Sequence, residues 1–366
     1  MVLAMCDQRP AGAANGSRTS FGAARAGQAQ MLGEAVDSVT GLVAARAAAG
    51  DLLLPGPVFV GIGASLAAAC APVWVLRSRG IHSWRLSAGD YPLPFPPSVH
   101  PVVGVSQSGR SAETLAVLES VDPRRRYAVV NETPSPIADA ARIVIGLGNL
   151  PDSYASTTGY TATVAALGII ADAWDGGVID AGWQDLAETF RATEQCLTEP
   201  VSELAAVFDG TASADFIGAG PSVGSAEAAA LLFREVARVP ATGMGTRQYL
   251  HGSMESAGDG VHVLFGGARE AEVASTLAAA GHQAILVTSE EEVTPGEGPA
   301  PVDPAAASPR LAIVALPPRP AAQRAILEVL VMQILVAAVA GRRGVDIEEF
   351  VFHHSDTKVP AQAPSA

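Results

Sequence analysis

The sequence predicts an α/β protein built from parallel sheets that are flanked by helices. Short apolar segments of strand length alternate with longer segments of helical periodicity along the chain, which is the pattern of strands joined by helical crossovers. The order of strand, glycine-containing turn and helix begins near residue 58 and again near residue 215. Because 366 residues are enough for about two domains, we expect two similar α/β domains.

The N-terminal half supplies the first set of elements. Apolar residues at helical spacing predict a helix over 21–49. The segment PVFVGIGAS predicts a buried strand that ends in a glycine and serine turn before a helix, and HPVVGVSQSGRSAET repeats this arrangement. YAVVNET and RIVIGL predict two further strands, and a Ser/Thr loop at 154–161 leads into a long apolar helix.

The C-terminal half repeats the pattern after a long helix predicted over 180–208. Segments beginning ADFIGAG, GVHVLFGG, QAILVTS and RLAIVALPP predict four strands, followed by an apolar helix over 321–341. An acidic, proline-rich loop separates the last two strands. We expect a disordered leader, an N-terminal domain, a C-terminal domain and a tail with boundaries at 1–20, 21–185, 186–345 and 346–366.

The charge balance excludes some classes of protein. The 37 acidic residues outnumber the 23 basic ones, the formal net charge is −14, and no run of basic residues is longer than the three arginines at 124–126, so nucleic-acid binding is not expected. Polar residues interrupt the apolar stretch at 321–341, which predicts a buried helix and not a membrane span. The start of the chain lacks the pattern of a signal peptide. We expect a soluble, cytoplasmic protein.

The cysteines and histidines indicate no metal site. Cys6, Cys70 and Cys196 are odd in number and lack the spacing of zinc ligands, which excludes a disulfide scaffold and fits a reducing compartment. His353 and His354 are adjacent and lack metal-ligand spacing with carboxylates. We therefore expect neither a metal nor another cofactor.

The chain contains 22 arginines and one lysine, Lys358. Lysine forms a Schiff base with a carbonyl and arginine does not. Composition alone leaves two interpretations open: a functional amine, or a solvated residue near the C-terminus.

Three hydroxyl-rich turns follow predicted strands or precede predicted helices in the first half. They are GIGAS at 61–65, Ser106–Ser111 and the Ser156–Thr158 cluster. Hydroxyls and backbone N–H groups at a helix N-terminus bind anions, and ligands of open α/β sheets lie at the carboxyl ends of strands. Each turn alone is also explained as a helix N-cap. Three such turns in one half favour a phosphate or sugar-phosphate site.

The chain resembles the sugar isomerase (SIS) family, above all the isomerase half of glutamine:fructose-6-phosphate amidotransferase and its stand-alone relatives. The resemblance covers about 25–358 and is carried by GIGAS (61–65), SQSGRSAET (106–114), YASTTGYT (154–161), FREVARVPA (233–241) and LHGSME (250–255). It implies two flavodoxin-like SIS subdomains, each a parallel sheet flanked by helices. It also implies a homodimer with shared active sites that bind a small-molecule sugar phosphate.

The resemblance assigns roles to particular residues. Glu235 matches the glutamate that moves a proton between C1 and C2, and His251 matches the ring-opening histidine supplied by the neighbouring subunit. A carboxylate and an imidazole suit these tasks, although Glu235 is also explained as a helix surface residue and His251 as a capped loop residue. The residues matched to substrate and phosphate binding are Ser65, Ser106, Gln107, Ser108, Ser111 and Ser156.

The chain departs from the family pattern in places. A direct count from the last helix places the family's reactive lysine near His353, five residues before Lys358, to which we assign a Schiff-base or ring-opening role in a tail that closes over the active site. The lysine that the family often carries before the catalytic glutamate is absent from 231–234, and Ser253 replaces the usual proline. No glutaminase half is recognised, so glutamine-dependent amination by this chain alone is not expected.

These observations predict an enzyme, a phosphosugar aldose/ketose isomerase acting on a sugar or amino-sugar 6-phosphate. Deamination or deglycation are close variants of the same ring opening and C1/C2 proton transfer. The alternative is a non-catalytic regulatory SIS protein that binds a sugar phosphate.

Overall fold

Two five-stranded parallel sheets, one from each half of the chain, form the framework of the molecule. The computed structural model describes residues 18–90, 93–289, 309–352 and 354–360. The first sheet has the order β2-β1-β3-β4-β5 and the second β10-β9-β8-β6-β7. The strands are β1 (Val58–Gly61), β2 (Trp84–Ser87), β3 (Val102–Ser106), β4 (Arg126–Val130), β5 (Ile143–Gly146), β6 (Ala214–Gly218), β7 (Ala241–Gly245), β8 (Val261–Phe265), β9 (Gln283–Ser289) and β10 (Leu311–Leu316).

Counted from the first strand of each half, both sheets have the order 2-1-3-4-5, which is the flavodoxin-like arrangement. The predicted fold of two similar parallel sheets is therefore confirmed. The helices are α1 (Phe21–Ala48), α2 (Ala64–Ala68), α3 (Cys70–Ser78), α4 (Ala112–Ser120), α5 (Pro136–Ala140), α6 (Thr158–Ala173), α7 (Leu186–Glu203), α8 (Val223–Val236), α9 (Thr246–Leu250), α10 (Ala268–Ala279) and α11 (Ala321–Arg343).

Helix α11 lies at the centre of the core and packs against α6, α7 and α8. By length and composition it is apolar enough to cross a membrane, yet 78% of its most apolar window is buried inside the protein. Its Glu328 is 2% exposed and accepts hydrogen bonds from the hydroxyls of Ser222 (2.7 Å) and Ser225. Hydrogen bonding offsets the cost of burying this carboxyl group, and it fixes the start of α8 to the core.

Two strands were not predicted from the sequence. β2 and β7 lie at the edges of their sheets, and most of their residues are only partly buried. An edge strand has one paired neighbour and does not require a continuous apolar run, so WRLS and ATGMG gave no strand signal. The two strands occupy equivalent positions in the two halves, which supports the interpretation that both halves have the same fold.

The segment predicted as one helix over 180–208 is divided. It consists of a 3-10 turn at Ala181–Trp183, then α7, then a second 3-10 turn at Leu204–Phe208. The acidic loop between β9 and β10, Cys6 and His353 lie outside the described residues.

Candidate active site

The loop Ser106–Ser111 (the Ser106 loop) connects the end of β3 to the start of α4. The hydroxyls of Ser106 and Ser111 are 2.9 Å apart and hydrogen bonded. The Gln107 carbonyl accepts the N–H groups of Asn131 and Glu132, both at 3.1 Å. The loop is therefore closed by its two serines and anchored to the segment that follows β4.

Gly109 allows the Ser106 loop to make its turn. Its φ of 60° is in the left-handed region, which glycine adopts without a steric penalty. A Cβ at this position would also collide with the Ser135 side chain.

The Ser/Thr loop before α6 is organised by Asp152, a residue that is not among the predicted site residues. Asp152 is 5% exposed, and its carboxylate accepts hydrogen bonds from backbone N–H groups and hydroxyls at the start of α6. Such capping by a carboxylate is favoured at a helix N-terminus. The position of Asp152 just before the Ser/Thr cluster is the sequence feature that could have identified it as a capping residue. The donors are Ser153 N–H, Ser156 Oγ, Thr157 N–H, Thr157 Oγ1, Thr158 N–H and Gly159 N–H.

The Ser106 loop and the Ser/Thr loop meet at a pocket of about 100 Å³, which we call the Lys358 pocket. Three of its lining residues are cations, Arg18, Arg110 and Lys358, and two are acids, Glu132 and Asp152. Because Asp152 is occupied by capping bonds, the balance of charge favours an anion. Of the predicted binding residues, Gln107, Ser108 and Ser156 line the pocket.

Arg18 is a residue of the Lys358 pocket that the sequence did not indicate. It falls within 1–20, the segment expected to be a disordered leader, yet it forms a backbone bridge with Asp152. Its guanidinium group lies 3.8 Å from the centre of the Tyr154 ring. This cation–π contact and the bridge hold the start of the described chain against the pocket.

The C-terminal tail carries Lys358 into this pocket by pairing with the Ser106 loop. Lys358 and Ser111 form an antiparallel bridge, the Val359 N–H donates to the Arg110 carbonyl at 2.9 Å, and the Ala112 N–H donates to the Thr357 carbonyl at 3.2 Å. The side chain of Lys358 is exposed overall. Partial burial of its amine, followed by the nearby charge of Arg18, lowers its pKa, while Glu132 opposes this shift.

Glu235 lies in the last turn of α8 and is half-buried. Burial raises its pKa to about 7, and Arg238 opposes the shift. The Arg238 guanidinium donates to the carbonyls of Glu235 (2.6 Å) and Glu349 (2.8 Å). One residue later, the Phe350 ring packs edge-on against Tyr154, with centroids 5.6 Å apart. The tail thus connects the end of α8 to the wall of the Lys358 pocket.

The structure does not bring every predicted residue into this pocket. Ser106 and Ser111 are hydrogen bonded to each other and do not line it, and neither Ser65, in the first turn of α2, nor Glu235 is among its lining residues. His251 caps the end of α9 and is exposed. Their assignments remain predictions. Within the described part of the chain, no three His, Cys, Asp or Glu side chains cluster as metal ligands would.

Comparison of the sequence with known proteins gives two relatives. The chain is 26% identical over 331 residues to a glutamine–fructose-6-phosphate aminotransferase (isomerizing) of Gloeobacter violaceus, covering 80% of this chain and 53% of that protein. It is 30% identical over 175 residues to the protein of the same name from Symbiobacterium thermophilum, covering 44% and 29%. The chain spans about half the length of the first relative and less of the second. No protein-family model matches it.

Solved structures show the same fold. The C-terminal domain of the Francisella tularensis glucosamine-fructose-6-phosphate aminotransferase superposes with a TM-score of 0.72 at 17% identity, covering 87% of this chain and 96% of that one. Escherichia coli tagatose-6-phosphate ketose/aldose isomerase gives 0.70 at 16% identity, covering 92% and 97%. Thermotoga maritima glucosamine-6-phosphate deaminase gives 0.64 at 17%, covering 88% and 97%. These structures show that the chain has the fold of two SIS subdomains that its motifs predict.

Proposed function

We propose that the chain is a phosphosugar aldose/ketose isomerase that acts on a sugar or amino-sugar 6-phosphate. The observation that carries this proposal is the convergence of Ser108, Ser156 and the single lysine, Lys358, in one cationic pocket. The pocket lies beyond the carboxyl end of β3, where ligands of open α/β sheets bind.

The phosphate group is the part of the substrate that this pocket suits best. Ser108 and Ser156 supply hydroxyls, and Arg18 and Arg110 supply guanidinium groups. Guanidinium groups bind phosphate oxygens through charge-assisted hydrogen bonds. Because the pocket is small, the sugar carbons extend out of it in this proposal.

Lys358 and Glu235 supply the chemistry in this proposal. The lowered pKa of Lys358 increases the fraction of neutral amine, which attacks the C2 carbonyl carbon of the open-chain sugar and forms an imine with loss of water. Water then hydrolyses this imine and releases the open-chain sugar with its C2 carbonyl and the free Lys358 amine. Glu235, with a pKa of about 7, takes the proton from C1 to give the enediol and returns it at C2, so that the carbonyl moves to C1 and C2 carries a hydroxyl. His251 of a second subunit protonates the ring oxygen during ring opening, so the working form is a homodimer. No cofactor is required.

The names of the similar proteins support the reaction class but differ in substrate. One is an isomerising aminotransferase of fructose 6-phosphate, one a tagatose-6-phosphate isomerase and one a glucosamine-6-phosphate deaminase. Deamination and deglycation share the ring opening and the C1/C2 proton transfer, so they remain variants of the proposal. A soluble, cytoplasmic protein stays our prediction.

A non-catalytic sugar-phosphate-binding protein is the second candidate function. It is favoured by one observation: within a single chain, Glu235 and His251 do not line the Lys358 pocket. Under this alternative the pocket binds the phosphate and no proton is transferred.

Proton exchange at C1 and C2 in heavy water, followed by NMR, separates the two candidates. The protein is offered fructose 6-phosphate and glucosamine 6-phosphate, each with and without ammonia. We expect exchange that falls about 100-fold or more in Glu235→Gln and is unchanged in Glu199→Gln, an exposed glutamate on α7. Dependence on ammonia identifies a deaminase. Ligand-induced stabilisation without any exchange would favour the regulatory protein.

A further inference from the structure

A second cavity, of about 720 Å³, lies at the carboxyl edge of the second sheet. It is formed where β6 and β7 end, at Gly218–Gly220 and Gly245–Gln248, and α3 of the first half closes one side. None of its lining residues lines the Lys358 pocket. The turn after β6 follows the first strand of the second half, just as the hydroxyl-rich turn at 61–65 follows the first strand of the first half. The proposed function does not use the turn after β6. We call this space the arginine cavity.

Positive charge dominates the lining of the arginine cavity. Among the described residues, the lining cations are Arg77, Arg85, Arg247 and Arg269, and the only lining acid is Glu270. The Glu270 carboxylate is buried and accepts the Gly267 N–H at 3.1 Å, which caps its own helix.

Two of the four arginines are neutralised by nearby carboxylates. Arg85 forms a bidentate pair with Glu227, and Arg269 pairs with Glu272. Arg77 donates to a backbone carbonyl, and neither Arg77 nor Arg247 has a carboxylate partner among the described residues. Their uncompensated charges favour an anionic ligand.

A buried hydroxyl in the same lining lacks a hydrogen-bond partner. Thr246 is 5% exposed, it lines the cavity, and its Oγ1 makes no hydrogen bond within the described chain. An unsatisfied buried hydroxyl is costly. An anionic oxygen in the cavity would accept its proton, so Thr246 indicates a ligand independently of the arginines.

An aromatic surface completes the cavity. The indole of Trp74 is 48% exposed and lines the cavity. The chain approaches it at Gly220, whose added Cβ would lie 3.2 Å from the ring. Nucleic-acid bases stack on such exposed aromatic rings.

We propose that the arginine cavity binds a nucleotide, with its phosphates on Arg77, Arg247 and Thr246 and its base stacked on Trp74. The volume is within the range of sites for drug-sized ligands and exceeds what a lone phosphate requires. The exposed indole favours an aromatic base over the hydroxyl groups of a hexose phosphate. The proposal does not depend on the reaction at the Lys358 pocket, because the two sites share no lining residue.

Isothermal titration calorimetry of the full chain tests this site. The probes are uridine diphosphate, adenosine diphosphate, inorganic phosphate and fructose 6-phosphate. We expect a nucleoside diphosphate to bind, with affinity about tenfold or more lower in Arg247→Gln, because a hydrogen bond to a charged group is lost. Arg191→Gln is the matched control, since Arg191 is an exposed arginine on α7, outside the cavity.

A second variant tests the base. Trp74→Ala is expected to weaken nucleoside diphosphate binding about tenfold and to leave any binding of inorganic phosphate unchanged. Circular dichroism of the unliganded variants verifies that they fold. If Trp74→Ala does not fold, tryptophan fluorescence is measured instead. The nucleotide should quench the fluorescence of the unmodified chain and should quench that of Arg247→Gln less.

Several results would overturn the proposal. These are the failure of both nucleoside diphosphates to bind, or equal nucleotide affinities in Arg247→Gln and Arg191→Gln. Loss of nucleotide binding in Ser108→Ala but not in Arg247→Gln would place the ligand in the Lys358 pocket and also reject the assignment.

Discussion

The backbones of Lys358 and Ser111 pair as an antiparallel bridge, which places the only lysine of the chain beside the loop that we assign to phosphate. Residues on both sides of the bridge continue the pairing, since the Arg110 carbonyl accepts the Val359 N–H at 2.9 Å and the Thr357 carbonyl accepts the Ala112 N–H at 3.2 Å. This short backbone pairing therefore joins the proposed reactive amine to the proposed phosphate loop, although the two residues are 247 positions apart in the sequence.

The amine of Lys358 is expected to be trapped on substrate. Borohydride reduction in the presence of fructose 6-phosphate should add one sugar per chain, and peptide mass spectrometry should locate it at Lys358. Lys358→Arg retains the positive charge and cannot form an imine, so it should lose both the adduct and about 100-fold or more of turnover. If Lys358→Arg turns over normally, the Schiff-base role is wrong.

A proline can remove one of the backbone hydrogen bonds that dock the tail. Val359→Pro deletes the N–H that donates to Arg110 and should weaken sugar-phosphate binding about fivefold, an effect of roughly 1 kcal/mol. It should also speed cleavage of the tail in limited proteolysis. Val359→Ala keeps the N–H and should behave as the unmodified chain. Equal proteolysis of the two variants would contradict the role of this hydrogen bond.

The first half of the candidate site was predictable because its signals are local. Ser106–Ser111 combines the end of an apolar strand, three serines and a helix start within six residues, and such a turn adopts the same geometry in many α/β proteins. The pairing of Lys358 with Ser111 is a tertiary contact between distant residues, and no periodicity encodes it. Arg18 was missed for the same reason, since its position depends on Tyr154 and Asp152.

The same distinction explains which parts of the fold were predictable. Fully buried strands such as β3 and β8 are continuous apolar runs, and their pattern identifies them. The edge strands β2 and β7 are only partly buried, so packing against a neighbour, and not their composition, makes them strands.

The raised pKa of Glu235 predicts how stability depends on pH. The folded chain holds the proton up to about pH 7, whereas an unfolded glutamate releases it near pH 4.3. Between these values the folded state binds more protons, so the free energy of unfolding falls as pH rises, by up to about 4 kcal/mol.

Urea unfolding of Glu235→Gln at pH 5 and pH 8 measures this contribution of Glu235 to the free energy of unfolding. Relative to the unmodified chain, the variant should gain stability at pH 8 and show little difference at pH 5, while Glu199→Gln should show neither effect. In the unmodified chain, kcat/KM should fall as pH drops below about 7, because the Glu235 carboxylate becomes protonated. The same stability difference at both pH values would show that the Glu235 pKa is not raised.

Asp152 is expected to support both stability and binding. Asp152→Asn replaces a carboxylate oxygen by an NH₂ group, which cannot accept from the donors at the start of α6. We expect a loss of about 2–3 kcal/mol of unfolding free energy, together with weaker sugar-phosphate binding, because Ser156 loses its acceptor. Calorimetry and urea unfolding measure the two effects. Asp37→Asn, an exposed residue of α1, is the control, and a variant no weaker than this control would contradict the role of Asp152.

Gly109 and Gly210 offer a matched pair that separates backbone strain from the shape of the Ser106 loop. Both have positive φ, 60° and 73°, so an alanine at either position costs about 1–2 kcal/mol through strain. A Cβ at Gly210 meets nothing within 4 Å, whereas one at Gly109 collides with Ser135. Gly210→Ala should therefore lose only stability, while Gly109→Ala should lose more stability and displace the loop. Calorimetry with fructose 6-phosphate should show at least about tenfold weaker binding for Gly109→Ala alone, whereas equal affinities would mean that the Ser106 loop does not hold the phosphate.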